Sequence, residues 1–326
     1  MIATAAADIL AFALARIDEG LGTALVTLTD IEGTSPRAIG AQMAVAEDGR
    51  YAGSFSGGCI EAAVVAEATG TLADGRARLV RFGAGSPYLD IRLPCGSGID
   101  LLFNPHPDPA ALAGVLSNLD RRMVATLRLS HEGVDAEGGG DASATGWQGK
   151  DFRICYPPRL RIVAMGQGEE LTALARLGTV FGADVCVLSP DRRALAELAA
   201  EGTAAIELTA RTHLPPVATD PWTAVVSVFH DRDWEEELLP RALELPGFYV
   251  GAIGSQRTRA ARLDALRAAG VPDRLVRKLQ TSVGLIPATR DPATLALSIL
   301  AQVAEQYQAL DVTTLCSEIF DFNVPA

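Results

Sequence analysis

From Arg159 onward the chain alternates short β-rich apolar runs with helix-forming stretches, and no other feature of the sequence limits the fold as much. Leu160–Met165 (LRIVAM) reads as a buried strand, Glu169–Phe181 as a helix, and Asp184–Leu188 (DVCVL) as a second strand. Arg192–Glu201 follows as a helix and Ala224–Val228 (AVVSV) as a third strand. The rhythm continues through a helix at Asp233–Leu243, a strand at Phe248–Ile253, a helix at Ser255–Ala269 and a long apolar helix at Pro292–Gln306. Apolar runs without polar alternation are covered on both faces, and strands joined through helices pair in parallel. Residues 158–326 are therefore expected to form a Rossmann-like, doubly wound parallel-sheet domain.

The first half has a different texture. After an N-terminal helix, Leu21–Asp30, Ala41–Ala46 and Tyr51–Phe55 read as strands of a meander turned at Glu47–Arg50. Ser56-Gly57-Gly58-Cys59 leads into a helix at Ile60–Leu72, which places Cys59 at or within its first turn. Further strands are expected at Ala77–Phe82 and Ile99–Phe103, with the loop Leu93–Gly98 between them. Residues 133–150 are rich in glycine and small polar groups and read as a flexible excursion or a long hairpin tip. A boundary near Pro157-Pro158 makes residues 1–157 an N-terminal α/β domain, and 326 residues are indeed more than one core usually serves.

A net charge of −12 argues against a protein that tracks nucleic-acid phosphates, so any anion must be gripped locally. No window approaches the ~20 uninterrupted apolar residues of a membrane span. The N-terminal stretch lacks a basic leader, which points to the cytoplasm. Five scattered cysteines show no zinc spacing and read as reduced thiols.

Three places invite a ligand. Gly166-Gln167-Gly168 follows a strand as a phosphate loop would, but the third glycine of a dinucleotide fingerprint is replaced by Leu171. Glu169 and Glu170 put negative charge where a pyrophosphate would lie, and the alternative is a plain strand-to-helix turn. Gly254 and Ser255 open a helix whose first turns carry Arg257 and Arg259; this mismatch with the helix dipole suits a bound phosphate or carboxylate, or else a solvated face. Cys59, after Gly57 and Gly58, is a reachable thiol favoured by a helix dipole, or a small packing residue where the helix meets the sheet. Cys95, in a proline- and glycine-rich loop, carries the same two readings, and Arg37 in a turn between strands could pair with a phosphate. Cys155, Cys186 and Cys316 read as packing residues, and the four histidines have no metal spacing. No residue set reads as catalytic.

Taken together, Gly33-Thr34-Ser35-Pro36-Arg37, Gly57-Gly58-Cys59-Ile60-Glu61, Leu93-Pro94-Cys95-Gly96, the strand-turn from Arg161, Tyr249–Arg257 and Val283-Gly284-Leu285 with Ala296–Ala301 resemble the XdhC/CoxI family of xanthine dehydrogenase accessory proteins. The resemblance implies a chaperone that binds molybdenum cofactor transiently, as molybdopterin or its dinucleotide form. It further implies protection of the cofactor during sulfuration by a cysteine desulfurase-type sulfurtransferase, and insertion into a xanthine dehydrogenase- or aldehyde oxidase-type molybdoenzyme. Cys59 and Cys95 would approach molybdenum, while Arg37 or the helix start at Ser255 would hold the phosphate. A homodimer is implied as well, for which the long C-terminal helix would supply a face. The sequence departs from the family at Val228-Phe229-His230-Asp231, at Ile286-Pro287-Ala288 and at Glu169-Glu170, which leaves the ligand of the second domain open. The rival reading is an NAD(P)-dependent oxidoreductase built on the Rossmann-like half.

Overall fold

The computed structural model describes residues 5–86, 96–137, 144–280 and 282–315. It divides into two units, residues 1–158 with 312–326 and residues 159–311.

In the first unit, β1 (Thr23–Glu32), β2 (Gln42–Ala46), β3 (Tyr51–Gly53), β4 (Arg78–Gly83) and β5 (Gly98–Pro105) form an antiparallel sheet in the order β3-β2-β1-β5-β4. Side chains alternate across a strand, and here both sides are covered. Ala24, Val26, Leu28, Met43, Val45, Leu101 and Phe103 meet α2 (Glu61–Asp74) through Val64, Ala68 and Leu72. Leu25, Ala44 and Leu102 face the other way, toward α1 (Ala6–Asp18) and α3 (Pro109–Asp120). The same core takes in a second antiparallel sheet of β6 (Ala125–Leu129), β7 (Val134–Glu137), β8 (Gly146–Gln148) and β9 (Asp151–Tyr156), ordered β7-β6-β9-β8.

This second sheet takes up both ends of residues 133–150. Val134–Glu137 pairs with β6 and Gly146–Gln148 with β9, on opposite edges, so the two ends do not pair with each other, and residues 138–143 lie outside the described residues. Its short strands are masked in sequence by the glycines and small polar residues between them.

The second unit has a five-stranded parallel sheet of β10 (Arg161–Gly166), β11 (Asp184–Ser189), β12 (Ala204–Glu207), β13 (Thr223–Val228) and β14 (Tyr249–Ala252). Their spatial order is β12-β11-β10-β13-β14, which is the doubly wound order with its reversal between β10 and β13. One face packs against α4 (Glu169–Phe181) and α9 (Pro292–Gln308), through Leu171, Leu174, Ala296, Ile299 and Val303. The other meets α6 (Arg232–Glu244), α7 (Gln256–Ala268) and the short α8 (Asp273–Val276). Helix α5 (Arg192–Ala200) contributes Leu195 and Leu198. The apolar face of α9 is thus spent inside its own unit, and its apolarity gives no ground for expecting an interface there.

Candidate functional site

The glycines before Cys59 adopt φ of +78° at Gly57 and +129° at Gly58, values that an L side chain resists. Nothing stands within 4 Å of a Cβ built on either, so the backbone conformation, not crowding, demands glycine. Helix α2 begins at Glu61 with Ile60 as its N-cap, which corrects the expected position of Cys59: the thiol lies just ahead of the helix, not in its first turn. Cys59 is exposed, which also overturns its reading as a packing residue.

The loop is organised from the helix side. Glu61 Oε1 accepts from the amides of Phe55 (3.1 Å), Ser56 (2.9 Å) and Gly57 (3.1 Å) and from Ser54 Oγ (2.7 Å). Its Oε2 accepts from the amides of Gly58 (2.8 Å) and Ile60 (3.2 Å) and from Ser56 Oγ (2.8 Å). The Cys59 amide donates to Ser56 Oγ at 2.9 Å. Two further loops are tied to this one or to each other. Arg37 donates from Nε to the Ser54 carbonyl at 2.9 Å, and its Nη groups make no hydrogen bond among the described residues. The Thr34 amide donates to Ser97 Oγ at 2.9 Å. The structure therefore ties Arg37 to Ser54, at the head of the segment that carries Gly57, Gly58 and Cys59. Cys95 falls outside the described residues, as does Cys316; in sequence Cys95 stands two positions before Ser97.

In the second unit, Gly166 ends β10 opposite Val228, and a Cβ there would lie 2.5 Å from Val228 Cγ2. The close approach of two strands accounts for this glycine without a phosphate. Gly168 caps α4 with φ of +84°. Glu170 Oε1 meets His230 Nε2 at 3.1 Å across the sheet's reversal point, so a carboxylate already occupies the turn. An open groove of about 640 Å³ beside it is lined by Glu169, Asp191, Glu197 and Asp291 against Arg176 and Arg193. Arg176 is paired with Glu201 at 2.6 Å and Arg193 with Glu197 at 3.1 Å. Asp191 caps α5 by accepting from the amides of Arg193 and Ala194, so the residue placed to hold a ribose is engaged by the backbone. Acids outnumber bases in this groove, and neither base is spare; a pyrophosphate would meet repulsion there.

Ser255 caps α7, accepting from the Thr258 amide at 3.2 Å. Of the two arginines expected to face an anion, Arg259 instead turns back to the Gly254 carbonyl at 3.3 Å, whereas Arg257 is exposed and makes no hydrogen bond among the described residues. Behind them Arg262, 5% exposed, pairs with Glu235 at 2.5 and 2.8 Å and donates to the carbonyls of Ala252 (3.1 Å) and Ile253 (2.6 Å). Cys155 and Cys186 are half-buried, and burial pushes the Cys186 thiol up. Among the described residues no three His, Cys, Asp or Glu side chains converge as a metal cage.

Residues 162–303 match the model of the XdhC Rossmann domain, and residues 16–83 that of the XdhC and CoxI family. The chain is 37% identical over 296 residues to the molybdenum cofactor insertion chaperone PaoD of Escherichia coli K12, covering 91% of this chain and 87% of that one. The chain belongs to the XdhC and CoxI family. The uncharacterized protein YqeB of the same organism is 23% identical over 286 residues, of which the chain spans 43% of the length. A crystal structure described as a xanthine dehydrogenase from Bacillus halodurans superimposes with a TM-score of 0.76 over 95% of this chain and 98% of that one; at 22% identity it supports the fold.

In this XdhC and CoxI family chain the Cys59 loop is held by Ser54, Ser56 and Glu61, a framework that sequence reasoning missed. Ser54 and Ser56 precede Glu61 by seven and five residues, at the head of a helix. Neither spacing is the three of a capping box, and Ile60, not a serine, is the N-cap, so no local signature announces this framework.

Proposed function

We propose that this family member is a non-enzymatic accessory protein that holds molybdenum cofactor at the Cys59 loop and delivers it to a molybdoenzyme of the xanthine dehydrogenase or aldehyde oxidase class. The observation that carries the reading is an exposed thiol on a loop whose other donors are committed, in a chain 37% identical to a cofactor insertion chaperone. Molybdenum is thiophilic, and a thiol that belongs to no metal cage among the described residues suits cargo that brings its own ligands and must leave again. The Arg37 Nη groups, which make no hydrogen bond among the described residues, pair with the phosphate of the pterin, as a guanidinium does well. Binding is transient, and Cys95 is the second thiol proposed to meet the metal. A cysteine desulfurase-type partner supplies the terminal sulfur while the cofactor is held, and the protein works in the cytoplasm as a homodimer.

The rival reading, a nicotinamide-dependent oxidoreductase, finds no support in the acidic groove of the second unit. Ultrafiltration of anaerobically purified protein with molybdenum cofactor, in both the molybdopterin and the dinucleotide form, tests the two together. Near-stoichiometric molybdenum and pterin retention, with NAD(H) and NADP(H) passing through, is the expected result. Retention of a nicotinamide dinucleotide and loss of the pterin would overturn it.

A further inference from the structure

The Gly57-Gly58-Cys59 backbone has the build of an anion cradle, yet it holds no room for an anion. Successive amides in a loop with positive φ converge on a common acceptor, which in many proteins is a phosphate. Here that acceptor is the chain's own Glu61 carboxylate, which takes the amides of Phe55, Ser56, Gly57, Gly58 and Ile60, while Ser56 Oγ takes the amide of Cys59. Each of the six amides from Phe55 to Ile60 thus has an acceptor within the segment itself. A pair of glycines left to itself samples many conformations, and a thiol carried on it would have no fixed direction. Seven donors converging on one buried carboxylate select a single conformation of the loop.

We infer that Glu61 is the positioning residue of the Cys59 site: its carboxylate fixes the loop in the conformation that presents the thiol and fills the cradle, so the loop admits a thiophilic centre and turns away a phosphate. The phosphate of the cargo is consequently held by side chains, Arg37 first among them, and not by loop amides. Glu61 touches neither metal nor pterin and acts only through Cys59. This inference rests on the reading that Cys59 meets the cofactor.

Retention of molybdenum cofactor by the full chain, measured by ultrafiltration for the parent, Cys59→Ala, Glu61→Gln and the double variant, tests it. Glutamine keeps one acceptor oxygen but replaces Oε2 with an amide nitrogen that cannot accept from Gly58, Ile60 or Ser56. Each single variant is expected to weaken retention about tenfold, and the double variant to be no worse than Cys59→Ala alone, because a residue acting through a thiol is silent when that thiol is gone. A residue that merely stabilises the fold would add its loss to that of Cys59→Ala. Additive losses, or full retention by Glu61→Gln, would overturn the inference. Amide hydrogen exchange over residues 55–60 runs alongside and is expected to accelerate in Glu61→Gln with the remaining chain unchanged. Should Cys59→Ala retain the cofactor fully, the reading of the thiol fails; unchanged exchange at 55–60 would then sink the role of Glu61 in ordering the loop as well, and accelerated exchange would leave that role standing. If Glu61→Gln does not fold, Ser56→Ala, which removes the link between Glu61 and the Cys59 amide, carries the same cycle.

Discussion

Burial alone would push the Glu61 carboxyl up, since the residue is only 5% exposed, but the Ser56 amide and the Ser54 and Ser56 hydroxyls outweigh that and hold it down to about 2 from an ordinary 4.5. A carboxyl lowered on folding stabilises the protein fully above its unfolded value, and that stability drains away as pH falls from about 4.5 toward about 2. The amount at stake is on the order of 3 kcal/mol. Chemical denaturation at about pH 6 and about pH 3 is expected to reveal a fall in stability in the parent that is visibly smaller in Glu61→Gln, whose side chain cannot titrate. At this scale the sequence allowed the thiol to be singled out, because glycines before a cysteine at a helix start are a local pattern. It did not single out the partner. Glutamate opening a helix is common for dipole reasons alone, and only the folded loop reveals that this one faces backward.

The corresponding feature among the elements is the pair Arg262–Glu235, which joins α7 to α6 and, through the carbonyls of Ala252 and Ile253, to the end of β14. Both side chains are nearly sealed from water, at 5% and 6% exposure. Removing one member leaves the other charged and buried, so Glu235→Ala is expected to cost about 3–5 kcal/mol in urea denaturation, whereas Glu235→Leu with Arg262→Met should return much of that loss. The sequence singled out Arg257 and Arg259 at the start of α7, as an anion site or a solvated face, and passed over Arg262 on the same helix; its pairing with a carboxylate of the neighbouring helix spans 27 positions and no local pattern announces it. Long elements were legible because their apolar period is strong. The four-residue β12 and the strands of the second sheet were not, although β9 (DFRICY) buries alternate residues in a clean period of two. Helix α3 also carried a readable start, Asp108 followed by Pro109, with the aspartate accepting from the Ala110 amide.

For the molecule as a whole, the alternation of strands and helices after Arg159 was enough to expect a doubly wound sheet, whereas the antiparallel pairings of the first half depend on contacts distant in sequence. The two apolar clusters that cover the second unit's sheet draw all their residues from within residues 159–311. That segment expressed alone is expected to fold cooperatively, with a thermal transition in circular dichroism; a non-cooperative melt would mean that it leans on the rest of the chain. The first unit is assembled differently in time. Its central strand β1 finds one neighbour in β2 soon after it but the other in β5, which ends only at Pro105, and the loop at Thr34 waits for Ser97. The carboxylate that shapes the thiol loop also follows that loop along the chain. A nascent polypeptide therefore carries Cys59 out of the ribosome with Ser56 just ahead of it and Glu61 two residues behind, while the sheet beside that loop stays incomplete until synthesis has passed Pro105.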